Sequence, residues 1–317
     1  MFLAEQKNES GFHKIILKDP SSDTHAEIIP ECGAILHKYV TRTQEGLMNV
    51  IESYGSSEDF AAHAESKGFL GLKLSPYVCR LEKGTYRHQG RQYTFGNYYL
   101  GNHSIHGILY RKPFTLLNTA AGMDSASVSM EYPYRSDEPG YPFQYDCRVT
   151  WELLPDRRLS VTTECLNQSE VSIPMQDGWH PYFSLEDPVD SLDLCFHSRE
   201  MVEFNSELIP SGNLIPYRVY DSFKKIGDMN LDNCFTVNWE SEAPKCILRN
   251  RSRHIQVEIL PEQSYPYLQI YIPPHRKSIA IENISGAPNG FNNQMGVRIL
   301  VPGGKAVYKT TYRLALI

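Results

Sequence analysis

The fold is decided by residues 145–166, YDCRVTWELLPDRRLSVTTECL. In YDCRVTWEL (145–153) and RLSVTTECL (158–166), apolar and polar side chains alternate with a period of two, which is typical of β-strands that bury one face. The same alternation recurs in SVSMEY (127–132), HIQVEIL (254–260) and YLQIYI (267–272). These segments predict an antiparallel all-β protein.

Turn-forming stretches separate the predicted strands at a spacing of about ten residues. Examples are RSDEPGYP (135–142), NQSE (167–170), PSGN (210–213) and GAPNG (286–290). This arrangement predicts a large β-sandwich in which two twisted antiparallel sheets pack face to face and leave a concave face for a ligand. Because no fixed-period repeat, low-complexity linker or composition shift divides the chain, residues 1–317 are expected to form a single domain.

Helical character is concentrated in EDFAAHAESKG, residues 58–68. Ser56 or Ser57 can cap its N-terminus, and Gly68 is placed to end it. We expect this helix to lie at the periphery of the fold.

The composition fits a globular protein with a substantial core, since 41% of residues are hydrophobic and 21% are charged. A net charge of −6 opposes binding to nucleic acid. One local basic cluster, Arg249, Arg251, Arg253 and His254, is interpreted as a solvated turn between the strands KCILRN and HIQVEIL.

The chain begins MFLAEQKNESGF, which lacks the apolar core of a secretory signal. No uncharged apolar run approaches the roughly 18 residues that a membrane-spanning helix needs. The seven cysteines are scattered without a CxxC pair, so we interpret them as reduced thiols. Together these features predict a cytoplasmic protein without membrane partners.

Four segments place an ionisable group in an apolar or aromatic setting: SIHGIL (His106), DGWHPYFSL (His180), LDNCF (Asp232) and SIAIENISG (Glu282). Burial raises the pKa of a carboxyl group and lowers that of histidine, which suits both for proton transfer near neutrality. Each group also has a structural interpretation. His180 could be a packed core residue, Glu282 a solvated carboxylate at a strand end, and Asp232 a turn former.

The sequence lacks the motifs that mark metal sites, nucleophilic hydrolases and nucleotide-binding sites. His103 and His106 form an HxxH pair, but no third ligand stands at a recognisable spacing, so no resident metal is expected. The sequence contains no GxSxG nucleophile elbow. It also has no glycine-rich phosphate loop, which disfavours a nucleotide cofactor.

Taken in order, these segments resemble the aldose 1-epimerase (galactose mutarotase-like) family from about residue 12 to the C-terminus. LSPYVCRLEKGTYRHQGRQYTF (74–95) is similar to the family segment in which an arginine, here Arg80, precedes a turn and a short hairpin. SIHGIL, the strand pair around residues 145–166, DGWHPYFSL, LDNCF and SIAIE follow in the family's order. The chain departs from the family pattern at Gln176 or Asp177, at Asn283 and in PNGFN (288–292), which bears on the identity of the sugar.

The resemblance implies a supersandwich fold with little helix and an aldose 1-epimerase that interconverts the anomers of a neutral aldose without a cofactor. It implies Glu282 as general base and His180 as general acid, with Arg80, His106 and Asp232 contacting the sugar. The aromatic candidates for packing on the sugar ring are Tyr182, Phe183 and Phe235. The alternative is a non-catalytic carbohydrate-binding or regulatory protein on the same fold; a lyase or glycoside-processing relative would need an extended cleft.

Overall fold

The structure is a computed structural model that describes residues 1–96, 99–241 and 243–317. Strands hold 52% of the residues and helices 6%, which confirms the predicted all-β class. In chain order, the strands are β1 (Leu3–Glu9), β2 (Phe12–Asp19), β3 (Thr24–Ile29), β4 (Ile35–Thr43), β5 (Gly46–Asn49), β6 (Ile51–Glu52), β7 (Lys73–Leu74), β8 (Arg80–Leu81), β9 (Thr85–His88) and β10 (Arg91–Thr94). The series continues with β11 (Tyr99–Leu100), β12 (His103–Ile105), β13 (Thr115–Ala121), β14 (Ala126–Arg135), β15 (Gln144–Leu154), β16 (Arg158–Asn167), β17 (Ile173–Met175), β18 (Gly178–Trp179), β19 (Tyr182–Phe183) and β20 (Asp193–Phe196). It ends with β21 (Ser198–Phe204), β22 (Pro210–Pro216), β23 (Lys224–Lys225), β24 (Asp232–Val237), β25 (Cys246–Asn250), β26 (Ile255–Pro261), β27 (Tyr267–Tyr271), β28 (Ile279–Ile284), β29 (Arg298–Leu300) and β30 (Lys305–Leu316).

Two antiparallel sheets of nine strands dominate the fold. The back sheet has the order β13-β14-β15-β16-β30-β26-β25-β20-β23. The site sheet has the order β22-β21-β24-β27-β28-β18-β7, with β19 and β6 attached beside β28. A five-stranded sheet, β1 to β5, packs on the back sheet through contacts of β2 with β14 and β15.

The periodic segments of the sequence are strands of these sheets, as predicted. Residues 145–166 form the antiparallel pair β15 and β16, in register from Tyr145 opposite Asn167 to Leu154 opposite Arg158. Residues 127–132, 255–260 and 267–271 lie in β14, β26 and β27, whereas His254 and Ile272 lie just outside these strands. The alternation decides the packing because one face of each strand enters the core.

The main core lies between the back sheet and the site sheet. Trp151 of β15 meets Trp179 of β18 edge to face, with ring centroids 5.2 Å apart. Phe183 of β19 meets Tyr312 of β30 in the same manner at 5.6 Å. Such aromatic contacts add to the free energy gained by burying apolar area. This core draws residues from Phe2 to Leu314.

The predicted helix is shorter than residues 58–68. Helix α1 spans Ser57–His63, and the Ser56 hydroxyl caps it by accepting a hydrogen bond from the Asp59 N–H at 3.2 Å. Residues 64–68 continue in turns, and Gly68 adopts a left-handed backbone with φ of 84°. The remaining helices of the described chain are α2 (Gly290–Asn293) and three short 3₁₀ turns (Pro30–Cys32, Glu82–Gly84 and Val189–Ser191).

The basic cluster is a turn, as predicted. Residues 251–254 connect β25 to β26; exposed Arg251 forms an ion pair with Asp193, and half-buried Arg253 forms one with Glu45. All seven cysteines are buried and free. Within the described ranges, none of the helices combines the length and apolar character needed to cross a membrane.

A fully buried ion pair joins β7 to the residues just before His180. Lys73 Nζ lies 2.5 Å from Asp177 Oδ2 and donates to the Gly178 carbonyl at 3.1 Å. The Tyr265 hydroxyl donates to Asp177 Oδ1 at 2.6 Å. With these partners present, both charges of the pair are neutralised inside the core.

Replacing Lys73 with methionine is therefore expected to destabilise the protein by about 3–5 kcal/mol, because it leaves the Asp177 carboxyl group buried without its cation. Lys18→Met is the matched control, since Lys18 pairs with Glu5 at 2.6 Å on the surface and should lose less than about 1 kcal/mol. Urea unfolding of both variants measures the difference. Equal losses would contradict the proposed contribution of the buried pair.

Candidate active site

One face of the site sheet carries a group of polar residues on three adjacent strands. Across β24, β27 and β28, Asp232 pairs with Tyr271, while Cys234 pairs with Gln269, which in turn pairs with Glu282. These positions are two residues apart along each strand, so they share a face. The opposite face bears the core residues Phe235, Leu268, Ile270 and Ile281.

The other side of the site is built from short strands and their ends. His180 lies between β18 and β19, where its N–H donates to the Leu72 carbonyl at 3.1 Å and its carbonyl accepts from the Gly71 N–H at 2.9 Å. His106 follows β12, and its N–H donates to the Cys79 carbonyl at 3.0 Å. Arg80 begins β8 and pairs with Ile105. Backbone hydrogen bonds therefore hold these side chains in place.

With the exception of Cys234, the polar residues of this face and the side chains of His180, His106 and Arg80 line one cavity of about 240 Å³. The structure brings together the five residues singled out from the sequence: Glu282, His180, Arg80, His106 and Asp232. The other lining residues are Glu65, Ser66, Gly68, Phe69, Cys79, Leu100, Ile105, Tyr182, Phe204, Leu208, Gln269, Tyr271 and Pro288.

His180 and Glu282 form a buried carboxylate–imidazole pair. His180 Nε2 lies 3.3 Å from Glu282 Oε1, and the two side chains are only 6% and 2% exposed. Burial raises the pKa of Glu282 well above its ordinary value; nearby Asp232 raises it further, and Arg80 opposes the shift. Burial lowers the pKa of His180 to about 3. Over a wide range of pH the pair therefore holds one proton between its two members.

Aromatic groups surround the two histidines. The His180 ring stacks on Tyr182 with centroids 5.0 Å apart and planes at 8°. His106 meets His180 edge to face at 5.0 Å and Phe69 at 4.6 Å. Burial, together with the charges of His180 and Arg80, lowers the pKa of His106 well below its ordinary value, so His106 is neutral. A neutral imidazole can both donate and accept hydrogen bonds.

Asp232 is held in the cavity by Gln269, whose Nε2 donates to Asp232 Oδ1 at 2.8 Å. Burial raises the pKa of Asp232, while Arg80 and the hydrogen bond from Gln269 oppose the shift. The Arg80 charge thus acts on both cavity carboxyl groups, Asp232 and Glu282. The Oε1 atom of Gln269 and the Oε2 atom of Glu282 are buried and accept no hydrogen bond within the described structure.

Three structural details differ from the sequence interpretation. Glu282 lies two residues before the end of β28, and Asn283 continues the strand instead of starting a turn. Asp232 is the first residue of β24, so it is not a turn former. Phe183 and Phe235 pack in the main core, whereas Tyr182 lines the cavity. Strand length and face selection, which depend on partners in the sheet, explain these differences.

The segment after α1 is not peripheral, contrary to the sequence prediction. Glu65, Gly68 and Phe69 line the cavity, and the Gly68 carbonyl accepts a hydrogen bond from the Tyr182 hydroxyl at 2.8 Å. The turns that follow the helix direct this segment inward.

Sequence reasoning missed Gln269, Tyr271 and Phe69 as lining residues. For Gln269 a signal existed, because a polar side chain in the otherwise apolar YLQIYI alternation shares a face with Tyr271. Phe69 carried no such signal, since its place in the cavity depends on turns that bring distant parts of the chain together.

One group of cavity residues has the chemistry of a metal site. Ligand atoms of Cys79, His106 and Glu282 all lie within 4.8 Å of one another. His103, the other member of the HxxH pair, is outside this group and accepts a hydrogen bond from the Lys83 N–H at Nδ1, at 3.0 Å. The spacing of the two histidines in sequence therefore does not produce a shared site.

Comparison with solved structures defines the class of fold as galactose mutarotase-like. A galactose mutarotase-like protein from Clostridium acetobutylicum superimposes with a TM-score of 0.87 at 16% identity, covering 100% of this chain and 99% of that one. Galactose 1-epimerase from Lactobacillus acidophilus NCFM gives 0.81 at 17%, covering 100% and 98%. The GalM/aldose epimerase homologue from Caenorhabditis elegans gives 0.81 at 18%, covering 99% and 100%.

The family is assigned from the sequence. The chain belongs to the aldose 1-epimerase family, whose model matches residues 14–313. It is also 25% identical over 244 residues to the uncharacterized protein YihR of Escherichia coli K12, which covers 74% of this chain and 75% of that protein. At the level of the family, the chain is an isomerase-type enzyme of sugar chemistry.

Because Glu282 is buried, we expect its carboxyl group to lower the free energy of unfolding of the protein at neutral pH. Because its pKa is raised in the folded state, the free energy of unfolding falls as pH rises from the ordinary carboxyl value of 4.5 toward the raised value. Glu282→Gln should therefore raise the free energy of unfolding at neutral pH, by about 1 kcal/mol, and the gain should vanish below pH 4.5.

Glu27→Gln is a control of opposite sign, to be measured by urea unfolding over the same pH range. Burial would raise the pKa of Glu27, but Lys14 at 3.0 Å and Lys38 lower it overall. Its stabilising effect is present above its unfolded-state pKa, so the control should destabilise at neutral pH. A loss of stability at neutral pH in Glu282→Gln would contradict a destabilising effect of the buried Glu282 carboxyl group.

Proposed function

We propose that this protein is an aldose 1-epimerase that interconverts the α and β anomers of a neutral aldose. The observation that supports this most directly is the buried pair of His180 Nε2 and Glu282 Oε1, 3.3 Å apart in the cavity. Opening a hemiacetal takes one proton from the C1 hydroxyl and adds one to the ring oxygen. A base and an acid close to one sugar therefore meet the demand of the reaction.

In the proposed cycle, the reactive form of the pair has its single proton on His180 and its negative charge on Glu282. Glu282 accepts the C1 hydroxyl proton while His180 donates to the ring oxygen, and the bond between C1 and the ring oxygen breaks. Rotation about C1–C2 presents the other face of the aldehyde. The reverse transfers then close the other anomer and return the pair to its starting form.

Each transfer can contribute about 10²–10⁴ in rate, and fixing the sugar beside both groups adds an orientational gain. Only protons move, so the cycle uses no electron or group carrier.

The charges of the cavity support a neutral substrate. Among the described residues that line it, Arg80 is the single permanent cation, whereas Glu65, Asp232 and Glu282 are carboxyl groups. A phosphate group is recognised best by convergent arginines and is repelled by carboxylates. A phosphosugar is therefore disfavoured.

The size and walls of the cavity support a single sugar. Its volume of about 240 Å³ is below the roughly 300 Å³ at which drug-sized pockets begin. Phe69, Tyr182 and Tyr271 offer apolar surfaces to the C–H groups of a sugar ring. Arg80, His106 and Asp232 are proposed to bind its hydroxyl groups, and Gln269 holds Asp232 in position.

Turnover distinguishes this enzyme from a sugar-binding protein on the same fold. Glu282→Gln removes the base and keeps the shape, so kcat should fall about 10² or more while sugar binding stays within roughly tenfold. His180→Asn should behave similarly, and Arg80→Ala should weaken binding as well as rate. Polarimetry or NMR exchange across hexoses and pentoses, with calorimetry for binding, measures both quantities.

Wild-type protein that binds a sugar but anomerises it no faster than Glu282→Gln would show a binding protein instead of an enzyme. Equal activity of wild type and Glu282→Gln on a turned-over sugar would remove Glu282 from the mechanism.

The shared proton predicts a broad bell-shaped pH dependence of kcat/KM. Activity should fall on the acid side as a second proton binds near the His180 pKa of about 3, because no base then remains. It should fall on the alkaline side as the last proton leaves at the raised pKa of the Glu282 carboxyl group, because no acid then remains. Initial rates in chelator-treated buffers check this profile.

A kcat/KM that climbs steadily through the neutral range would show that Glu282 must first lose a proton independently of His180. That result would contradict the shared-proton mechanism even if the enzyme is active.

A further inference from the structure

We propose that Cys79, His106 and Glu282 form a binding site for a thiophilic divalent cation, Zn²⁺ above all, and that its occupation blocks the sugar site. The proposal adds a metal-sensitive inhibitory state to the cavity. It does not make the metal a participant in catalysis.

The backbone holds two of the three ligands beside each other. Cys79 directly precedes β8, His106 directly follows β12, and these strands pair through Arg80 and Ile105. The His106 N–H donates to the Cys79 carbonyl at 3.0 Å, which closes the end of this pair. Glu282 reaches the same place from β28 of the site sheet.

The distances suit a small ion. Ligand atoms of the three residues lie within 4.8 Å of one another. Zinc bonds of about 2.0–2.3 Å in a tetrahedron separate ligand atoms by about 3.3–3.8 Å. Closing this gap takes shifts of about 1 Å, which rotations of three side chains can supply.

The donors are those that zinc prefers, namely a thiolate, an imidazole nitrogen and a carboxylate oxygen. Three protein ligands leave a fourth position for water. A second observation points to a ligand: His106 Nδ1 and Glu282 Oε2 are buried atoms that make no hydrogen bond within the described structure. His106 and Glu282 are 5% and 2% exposed. Burying a polar atom without a partner costs free energy, and a bound ion would recover part of it.

Charge and proton balance are consistent with an ion of charge +2. Binding breaks the Cys79 S–H bond and displaces the proton that Glu282 shares with His180; both protons pass to solvent, and the thiolate with the Glu282 carboxylate neutralises the cation. Asp232 adds a further carboxyl group to the cavity, and Arg80 opposes it with one positive charge. No oxidant or co-reactant enters this step.

Inhibition follows from the identity of the ligands, and this part rests on the proposed function. The ion would occupy the carboxylate proposed as base and the imidazole proposed to bind a sugar hydroxyl. Metal and sugar should therefore compete. Binding of the ion, in contrast, can be tested without any turnover.

The direct test titrates metal-free protein with Zn²⁺ by calorimetry in two buffers of different ionisation enthalpy, and with Co²⁺ by absorption spectroscopy. Wild type should release the Cys79 proton and the shared proton of the Glu282–His180 pair on binding, and it should show a thiolate-to-cobalt charge-transfer band. Cys79→Ala should lose the band and bind Zn²⁺ about 10²-fold more weakly. Cys79→Ser provides a second variant if the alanine variant fails to fold.

Cys234→Ala is the matched control. Cys234 is buried on β24, which β27 separates from β28 in the site sheet, and Glu282 contributes to raising its pKa, yet it lies outside the three-residue group. This variant should retain the cobalt band and wild-type Zn²⁺ affinity. If Cys234→Ala loses the cobalt band and the Zn²⁺ affinity while Cys79→Ala keeps both, Cys79 is not the ligand and the proposal fails.

A wild-type protein without the band, or a band that survives in Cys79→Ala and Cys79→Ser, would overturn the site.

In activity assays, Zn²⁺ should inhibit competitively with sugar, a chelator should reverse the effect, and Cys79→Ala should resist it. Cys79-dependent metal binding by a protein that turns over no aldose would leave the metal site standing while the proposed function fails. Zn²⁺ that binds through Cys79 without inhibiting an active enzyme would overturn the blocking part of the proposal.

Discussion

The structure depends on one constraint of β-strands, namely that adjacent residues face opposite sides of a sheet. In β24, β27 and β28, one side completes the main core through Phe235, Ile270 and Ile281. The other side lines the cavity through Asp232, Gln269 and Glu282. The same residues that stabilise the sandwich thus hold the polar groups at fixed spacing. A slip of one residue in register would exchange the two sets and destroy both core and site.

Burial then sets the chemistry of the cavity. A carboxylate and an imidazolium are both costly to bury, so the pKa values of Glu282 and His180 move in opposite directions and the pair keeps a single proton. Arg80 partly offsets the cost by acting on Glu282 and Asp232 together. Buried ionisable groups with shifted pKa values, which lower the stability of the fold, are common in functional sites.

Support for His180 extends beyond the cavity. Asp177, which lies three residues before His180 in the chain, forms a buried ion pair with Lys73 and accepts a hydrogen bond from Tyr265. On the other side, Tyr182 stacks on the His180 ring and bonds to the turn at Gly68. Cys79 belongs to the same neighbourhood but serves no step of the proposed proton transfer. In the proposed metal site, its thiol adds a cation ligand to the cavity.

The sequence by itself determined the strands, because period-two alternation is a property of neighbouring residues and is legible in 145–166 without any tertiary contact. The order of its motifs determined the family, and the family resemblance singled out Glu282 and His180, which the fold places 3.3 Å apart. Only the tertiary structure decided which aromatic residue faces the cavity, since Tyr182 and Phe183 are neighbours that strand geometry sends to opposite sides. It alone also brought Cys79, His106 and Glu282 within 4.8 Å, because pairing between strands distant in the chain leaves no periodic trace in the sequence.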